Sequence, residues 1–213
     1  MTIASTASAL DVRNPSDGRS VATVEVNDRE SVNAIADGLR VAQAAWAEAA
    51  PNERARWMHR WRDWILAHTD ELTDLLQAET GKVRPDALVE TTASCEFITY
   101  YADHAEQFLA DNKVRSSGLL SLPKRLSTTY HPYPLVGLIT PWNFPITLFL
   151  MDAAPALAAG CAVLAKSSEE TPLTCARVVE GWNEIGAPPV LAHVVGAGST
   201  GAAVVDAVDY EIG

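Results

Sequence analysis

Residues 135–201 read LVGLITPWNFPITLFLMDAAPALAAGCAVLAKSSEETPLTCARVVEGWNEIGAPPVLAHVVGAGSTG, and this stretch decides the fold. Three short apolar runs, at 135–139, 161–166 and 190–195, alternate with two helical patterns. The first helix is expected over 146–159, and the second follows Thr171 as cap with Pro172 at its first position. Strand, helix, strand, helix, strand in this order predicts a parallel sheet with right-handed crossovers, an α/β fold of the Rossmann-like kind.

In an open parallel sheet, ligands bind beyond the carboxyl ends of the strands, so the informative residues follow each apolar run. After the first run comes Thr140-Pro141-Trp142-Asn143-Phe144-Pro145, where two prolines hold an extended turn rigid. The fixed Asn143 amide suits a donor to a developing oxyanion, and it is also placed to cap the next helix. The second run ends in Lys166, with Glu169 three residues on. This pair of opposite charge suits the hydroxyls of a ribose, or is a solvated lysine beside a helix-capping acid. The third run ends in Gly196-Ala197-Gly198-Ser199-Thr200-Gly201, which matches the glycine pattern of dinucleotide sites. That pattern belongs on the first strand of a unit with an acid ~20 residues on, so the literal match is discounted here.

Upstream the chain is helical. Val32, Ile35, Leu39, Ala42 and Trp46 recur at helical spacing behind the cap candidates Asn27 and Asp28. A second helix is expected over 51–68 with Trp57, Trp61, Trp64 and Ile65 on one face, and a third carries Leu72, Leu75 and Leu76 until Gly81. Burial between helices explains the tryptophan stripe better than ligand stacking. Pro85 is expected to open one longer helix with Leu88, Cys95, Ile98, Tyr101, Ala105 and Phe108 on its apolar face. The segment 113–134, broken by Ser116-Ser117-Gly118 and Pro123, reads as a hairpin or arm. The expected division is therefore 1–27 as a tail with short strands, 28–111 helical, 112–134 hairpin, and 135–213 the sheet-forming part.

Nearly half of the 213 residues are apolar, enough for a substantial core. The net charge of -11, from 27 acidic against 16 basic residues, disfavours nucleic acid and anionic membranes as partners. Residues 1–10 have neither the basic start nor the apolar centre of a secretory signal, so a cytoplasmic location is expected. The apolar stretch 145–165 is interrupted by Asp152, Pro155 and Gly160, which argues against a membrane span. Cys95, Cys161 and Cys175 are odd in number and widely spaced, which argues against disulfides and a structural zinc site.

Taken as a set, Pro141-Trp142-Asn143-Phe144-Pro145, Lys166 with Glu169 and Thr171-Pro172, Glu79-Thr80-Gly81-Lys82 and the Gly196-x-Gly198 turn resemble the aldehyde dehydrogenase superfamily in order and spacing. The resemblance runs from about Asn14 onward and is nearest in general character to the succinate-semialdehyde branch. It implies oxidation of a small aliphatic aldehyde to an acid: a cysteine thiolate attacks, hydride passes to NAD(P), and a glutamate-activated water hydrolyses the thioester. Carried over position by position, it makes Asn143 the oxyanion-stabilising amide and sets Thr140 and Trp142 beside the nicotinamide. Lys166 and Glu169 fall on the adenosine ribose, and Gly196 and Gly198 beside the adenine. The Glu169 carboxylate would repel a 2′-phosphate, which leans towards NAD over NADP.

The family also implies a homo-oligomer built through the hairpin arm. Pro134 stands where the family usually has glycine, and Ser167 where a proline more often follows the lysine. The family's pyrophosphate-binding glycine segment, general-base glutamate and nucleophilic cysteine have no counterpart up to Gly213. Cys161 lies five residues before Lys166, roughly 16 Å away at ~3.3 Å per residue, at the wrong end of the strand to replace that cysteine. The expectation is an N-terminal portion of the enzyme, broken after the third strand, inactive alone and binding NAD weakly. The alternative is a non-catalytic binding or assembly protein that pairs with a complete relative.

Overall fold

The computed structural model describes residues 9–115, 118 and 125–213. Strands β1 (Ala9–Arg13) and β2 (Ser20–Glu25) form an antiparallel hairpin. Five helices follow: α1 (Arg29–Glu48), α2 (Pro51–Ala67), α3 (Thr69–Thr80), α4 (Arg84–Ala93) and α5 (Cys95–Leu109). The short strands β3 (Asn112–Val114) and β4 (Leu126–Thr128) pair antiparallel, as the hairpin reading expects, while Ser116, Ser117 and Pro123 lie outside the described residues. The rest alternates strictly: β5 (Leu135–Thr140), α6 (Pro145–Ala159), β6 (Ala162–Ser167), α7 (Pro172–Glu184), β7 (Leu191–Val194), α8 (Gly198–Ala207) and β8 (Tyr210–Ile212).

The four strands form one parallel sheet in the order β7-β6-β5-β8. Chain direction and handedness together place the helices. From β5 to β7 the chain moves one way across the sheet, so right-handed crossovers put α6 and α7 on one face. The return from β7 to β8 runs the other way and puts α8 on the opposite face, where α1 packs beside it. Arg40 of α1 fixes that packing through an ion pair with Asp209 at 2.6 Å and a bond to the Ala207 carbonyl at 2.8 Å.

Helices α2 to α5 form a further layer over α6 and α7. The central α6 is therefore apolar nearly all round, with Ile146, Phe149, Leu150, Ala153, Ala154 and Leu157 buried. Its C-terminal carbonyls need partners in this dry setting. Trp46 donates to Leu157 O at 3.0 Å, Arg54 Nε to Ala158 O at 2.9 Å, and Gln43 to Gly160 O at 3.0 Å. The tryptophan stripe is core: Trp61 and Trp64 are buried, and Trp61 meets Trp182 and Phe149 edge-on at 5.4 and 6.2 Å. Trp57 is only partly buried.

Four expectations need correction. The helix expected to run on from Pro85 is two, parted at Ser94, whose hydroxyl turns to Glu90 O at 2.6 Å and Thr147 Oγ1 at 2.8 Å. Leu88 and Phe108, expected on its apolar face, are exposed. The cap of α7 does not come from the Thr171 side chain. The sheet also carries a fourth strand, β8, so Gly213 does not follow directly on the third. Among the described residues no helix is long and apolar enough to cross a membrane.

Candidate functional site

The sheet register brings the sequence candidates to one edge. Ile139, Lys166 and Val194 lie in one row across β5, β6 and β7, and Thr140 pairs with Ser167 in the next. The turn 141–144, the Ser167–Glu169 bend and the glycine turn after Val194 thus open side by side at the carboxyl ends of the strands. This is where open parallel sheets present ligand groups.

In the first turn Trp142 is 61 % exposed, Asn143 is exposed, and Thr140 is buried at the strand end. Asn143 does not cap α6: the cap position is Phe144, and no side chain of the turn accepts an α6 N–H. Among the described residues no partner holds the Asn143 amide. Two bonds fix the turn's flanks, Ser168 N to Thr140 O at 2.8 Å and Cys175 Sγ to Pro145 O at 3.3 Å.

At the end of β6, Lys166 Nζ meets Glu169 Oε2 at 3.2 Å. The lysine side chain is 6 % exposed and the glutamate 39 %, so the pair presents its carboxylate outward and keeps its cation beneath. Glu169's own backbone N–H and then Lys166 hold its carboxyl below the usual range. Gly201 of α8 lies over the Lys166 stem, where an added Cβ would sit 3.8 Å from Cδ. Behind the pair, His193 of β7 meets the Ser167 hydroxyl through Nε2 at 2.8 Å. Burial, with the Lys166 cation beside it, pushes this imidazole down to about 4, so it stays neutral.

Gly196 and Gly198 play different parts in the third turn. A side chain at Gly196 would meet Thr200 Oγ1 at 2.0 Å, whereas nothing lies within 4 Å of a Cβ at Gly198. The first glycine serves close packing and the second leaves an open approach to the α8 N-terminus. Asn27 clamps this turn: its Oδ1 accepts from Val195 N at 2.8 Å, and its carbonyl accepts from Thr200 Oγ1 at 2.7 Å. Asp28 is the cap of α1, through Ser31 N at 2.8 Å.

Two buried carboxylates escaped assignment from sequence. Glu79 of α3 accepts from Leu173 N at 2.8 Å, from Thr174 N at 2.9 Å and from the Thr174 hydroxyl, and so caps α7. Glu90 of α4 accepts from Ile146 N at 3.0 Å and Thr147 N at 3.4 Å, and so caps α6. Its other oxygen is ion-paired with Lys82. The available signal was periodicity: Glu79 falls on the face of Leu72 and Leu76, where an acid has no reason to be unless it is bonded.

Burial pushes the Cys95 thiol up to about 12, and raises Cys161 and Cys175 as well. All three are buried, and their raised pKa values disfavour the thiolate that a nucleophile needs. Among the described residues no group of three or more His, Cys, Asp or Glu could hold a metal ion.

The aldehyde dehydrogenase family profile matches residues 2–212. A Mycolicibacterium smegmatis relative provisionally named succinate-semialdehyde dehydrogenase [NADP(+)] is 40% identical over 195 residues, covering 91% of this chain and 37% of its own. The mitochondrial succinate-semialdehyde dehydrogenase of Oryza sativa subsp. japonica is 34% identical over 187 residues, covering 87% of this chain and 34% of its own. Among solved structures, an aldehyde dehydrogenase from Brucella melitensis biovar abortus 2308 superposes with a TM-score of 0.85 at 30% identity, covering 92% of this chain and 40% of that one. A NAD-dependent benzaldehyde dehydrogenase from Corynebacterium glutamicum gives 0.85 at 28% identity, with 94% and 43% covered. The chain thus spans between a third and less than half of the length of these relatives.

Proposed function

The chain belongs to the aldehyde dehydrogenase family, and from that premise we propose that its sheet edge binds NAD and presents Asn143 to the oxyanion formed when an aldehyde is attacked. The observation that carries this is the exposed Asn143 amide on a turn fixed at both flanks, which makes no bond of its own among the described residues. The fixed flanks place the backbone of Asn143, and its unengaged NH2 is available to donate to an oxyanion as charge develops. Thr140 and Trp142 would then border the nicotinamide, Lys166 and Glu169 the adenosine ribose, and Gly196 and Gly198 the adenine. NAD supplies the hydride acceptor when bound. What these residues do is orient it and stabilise the oxyanion.

Glu169 favours NAD over NADP in this reading, because its outward carboxylate would stand against a 2′-phosphate. A small aliphatic aldehyde is the substrate class, and the β3–β4 hairpin is read as an arm joining copies of the chain. The 213 residues alone are expected to bind NAD weakly and not to turn over aldehyde, since all three cysteines are buried with raised pKa values. Titration of the ¹⁵N-labelled chain checks this. NAD is expected to shift the amides of Lys166 to Glu169 more than NADP does, and Lys166→Met to abolish the shift. NADH formation dependent on aldehyde and lost in Asn143→Ala would overturn the claim that these residues are inactive alone. A flat titration would overturn the assignment of the NAD site.

A further inference from the structure

The turn that carries Asn143 lacks the means to cap the helix it opens. Pro145 at the first helical position has no N–H, and Phe144 at the cap has no acceptor in its side chain. The first free donors are the N–H groups of Ile146 and Thr147, and a carboxylate 56 and 57 positions away in sequence takes both. Glu90 is 4 % exposed. Burying an acid so deeply is costly unless its charge is met. Two partners meet it here: the positive end of α6 and the Lys82 ammonium. Lys82 has a second contact, because its Nζ lies 4.0 Å from the centroid of the Phe144 ring, the residue that follows Asn143.

We infer that Lys82 and Glu90 are positioning residues that hold the Asn143 turn from outside, Glu90 by seizing the start of α6 and Lys82 by clamping Phe144 onto that carboxylate. With Thr140 O held by Ser168 N at 2.8 Å on the other flank, the turn is anchored on both sides of Asn143. Glu79-Thr80-Gly81-Lys82 acquires a concrete role here. Glu79 caps α7 from the last turn of α3, the left-handed Gly81 (φ 73°) ends that helix, and Lys82 is thereby delivered to the α6 cap. One short segment thus governs the starts of both helices that follow β5 and β6. Catalytic meaning for this device rests on the reading of Asn143 as oxyanion donor; the geometry does not.

The test is hydrogen exchange and side-chain amide spectra of the ¹⁵N-labelled chain in three variants. Lys82→Met is expected to speed exchange at Ile146 and Thr147 about tenfold and to move the Asn143 NH2 signal, while Leu173 and Thr174, held by Glu79, keep their protection. Lys82→Arg, which keeps the cation, is expected to restore both. Equal acceleration at both helix starts would mean general loosening and would overturn the proposal, as would no change at Ile146 and Thr147. Should Lys82→Met not fold, Glu90→Gln preserves shape while removing the charge that draws Lys82 to Phe144. The Asn143 and Phe144 signals are expected to move in that variant, and unmoved signals overturn the proposal. None of these readouts depends on NAD, so a flat NAD titration leaves this result standing, and the reverse also holds.

Discussion

Glu79 shows how much a single buried acid can matter. Burial pushes it up to about 7, against the Thr174 hydroxyl and the Leu173 and Thr174 N–H groups, which favour its charge. A carboxyl whose folded pKa lies above its unfolded value of 4.5 binds more protons folded than unfolded between those limits. Its contribution is therefore fully present below pH 4.5 and lost as pH rises through about 7, by at most roughly 3 kcal/mol. His193 works in the opposite sense: its folded value of about 4 lies below 6.5, so its contribution is lost as pH falls through that window. The wild-type profile is thus composite, and the difference from Glu79→Gln isolates one group. Chemical denaturation is expected to show the Gln variant gaining on wild type as pH rises from 4.5 to above 7. A gap that does not vary with pH would refute the assignment. These residues also mark the limit of sequence reading at this scale. The place of Asn143, Lys166 and Glu169 at the strand ends was legible because they close or follow apolar runs, whereas Glu90 and Lys82 act across elements and carry no local signal of what they bond.

Among the elements, those with their own periodicity were legible and those made by contact were not. Helices α1 to α3, α6 and α7 and strands β5 to β7 lie within a residue or two of the positions read from apolar spacing and proline or glycine punctuation. Strand β8 has no apolar run, since Tyr210-Glu211-Ile212 is mostly exposed. It exists because β5 pairs with it and because Asp209 locks the junction, accepting from Leu135 N at 3.0 Å and donating its own N–H to Leu135 O at 3.0 Å. The division of α4 from α5 was equally hidden, because helical spacing continues through Ser94 and only its side-chain bonds mark the break. Close approach of elements was likewise invisible. In α7, a Cβ at Gly181 would lie 2.3 Å from the Trp64 ring of α2, so Gly181 permits the two helices to meet. Gly181→Ala would ordinarily stabilise a helix, but overpacking against this ring should reverse the sign and cost about 1–3 kcal/mol. Guanidinium unfolding of that variant checks it, and a raised midpoint would show that α2 and α7 have room to part.

At the scale of the whole molecule, two forces act in opposition on self-association. Among the described residues β8 is an outer strand of the sheet, its residues 210 and 211 are exposed, and the Tyr210 ring stacks on the half-exposed Tyr133 at 5.1 Å. An open strand edge beside aromatic surface invites pairing with another chain. Against it stands the net charge of -11, which repels like copies over a range set by salt. Edge pairing acts at contact and is little screened, whereas the repulsion falls away beyond about 10 Å at 0.1 M salt. Association of the isolated chain should therefore strengthen as salt is added, the reverse of what a charge-paired interface would do. Sedimentation equilibrium across a salt series is the measurement. The expected result is a dimer or larger species favoured at high salt and weakened by Tyr210→Lys, which places a charge on the edge. A monomer at every salt concentration would show that the β8 edge is protected, and a dimer untouched by Tyr210→Lys would move the contact to another surface.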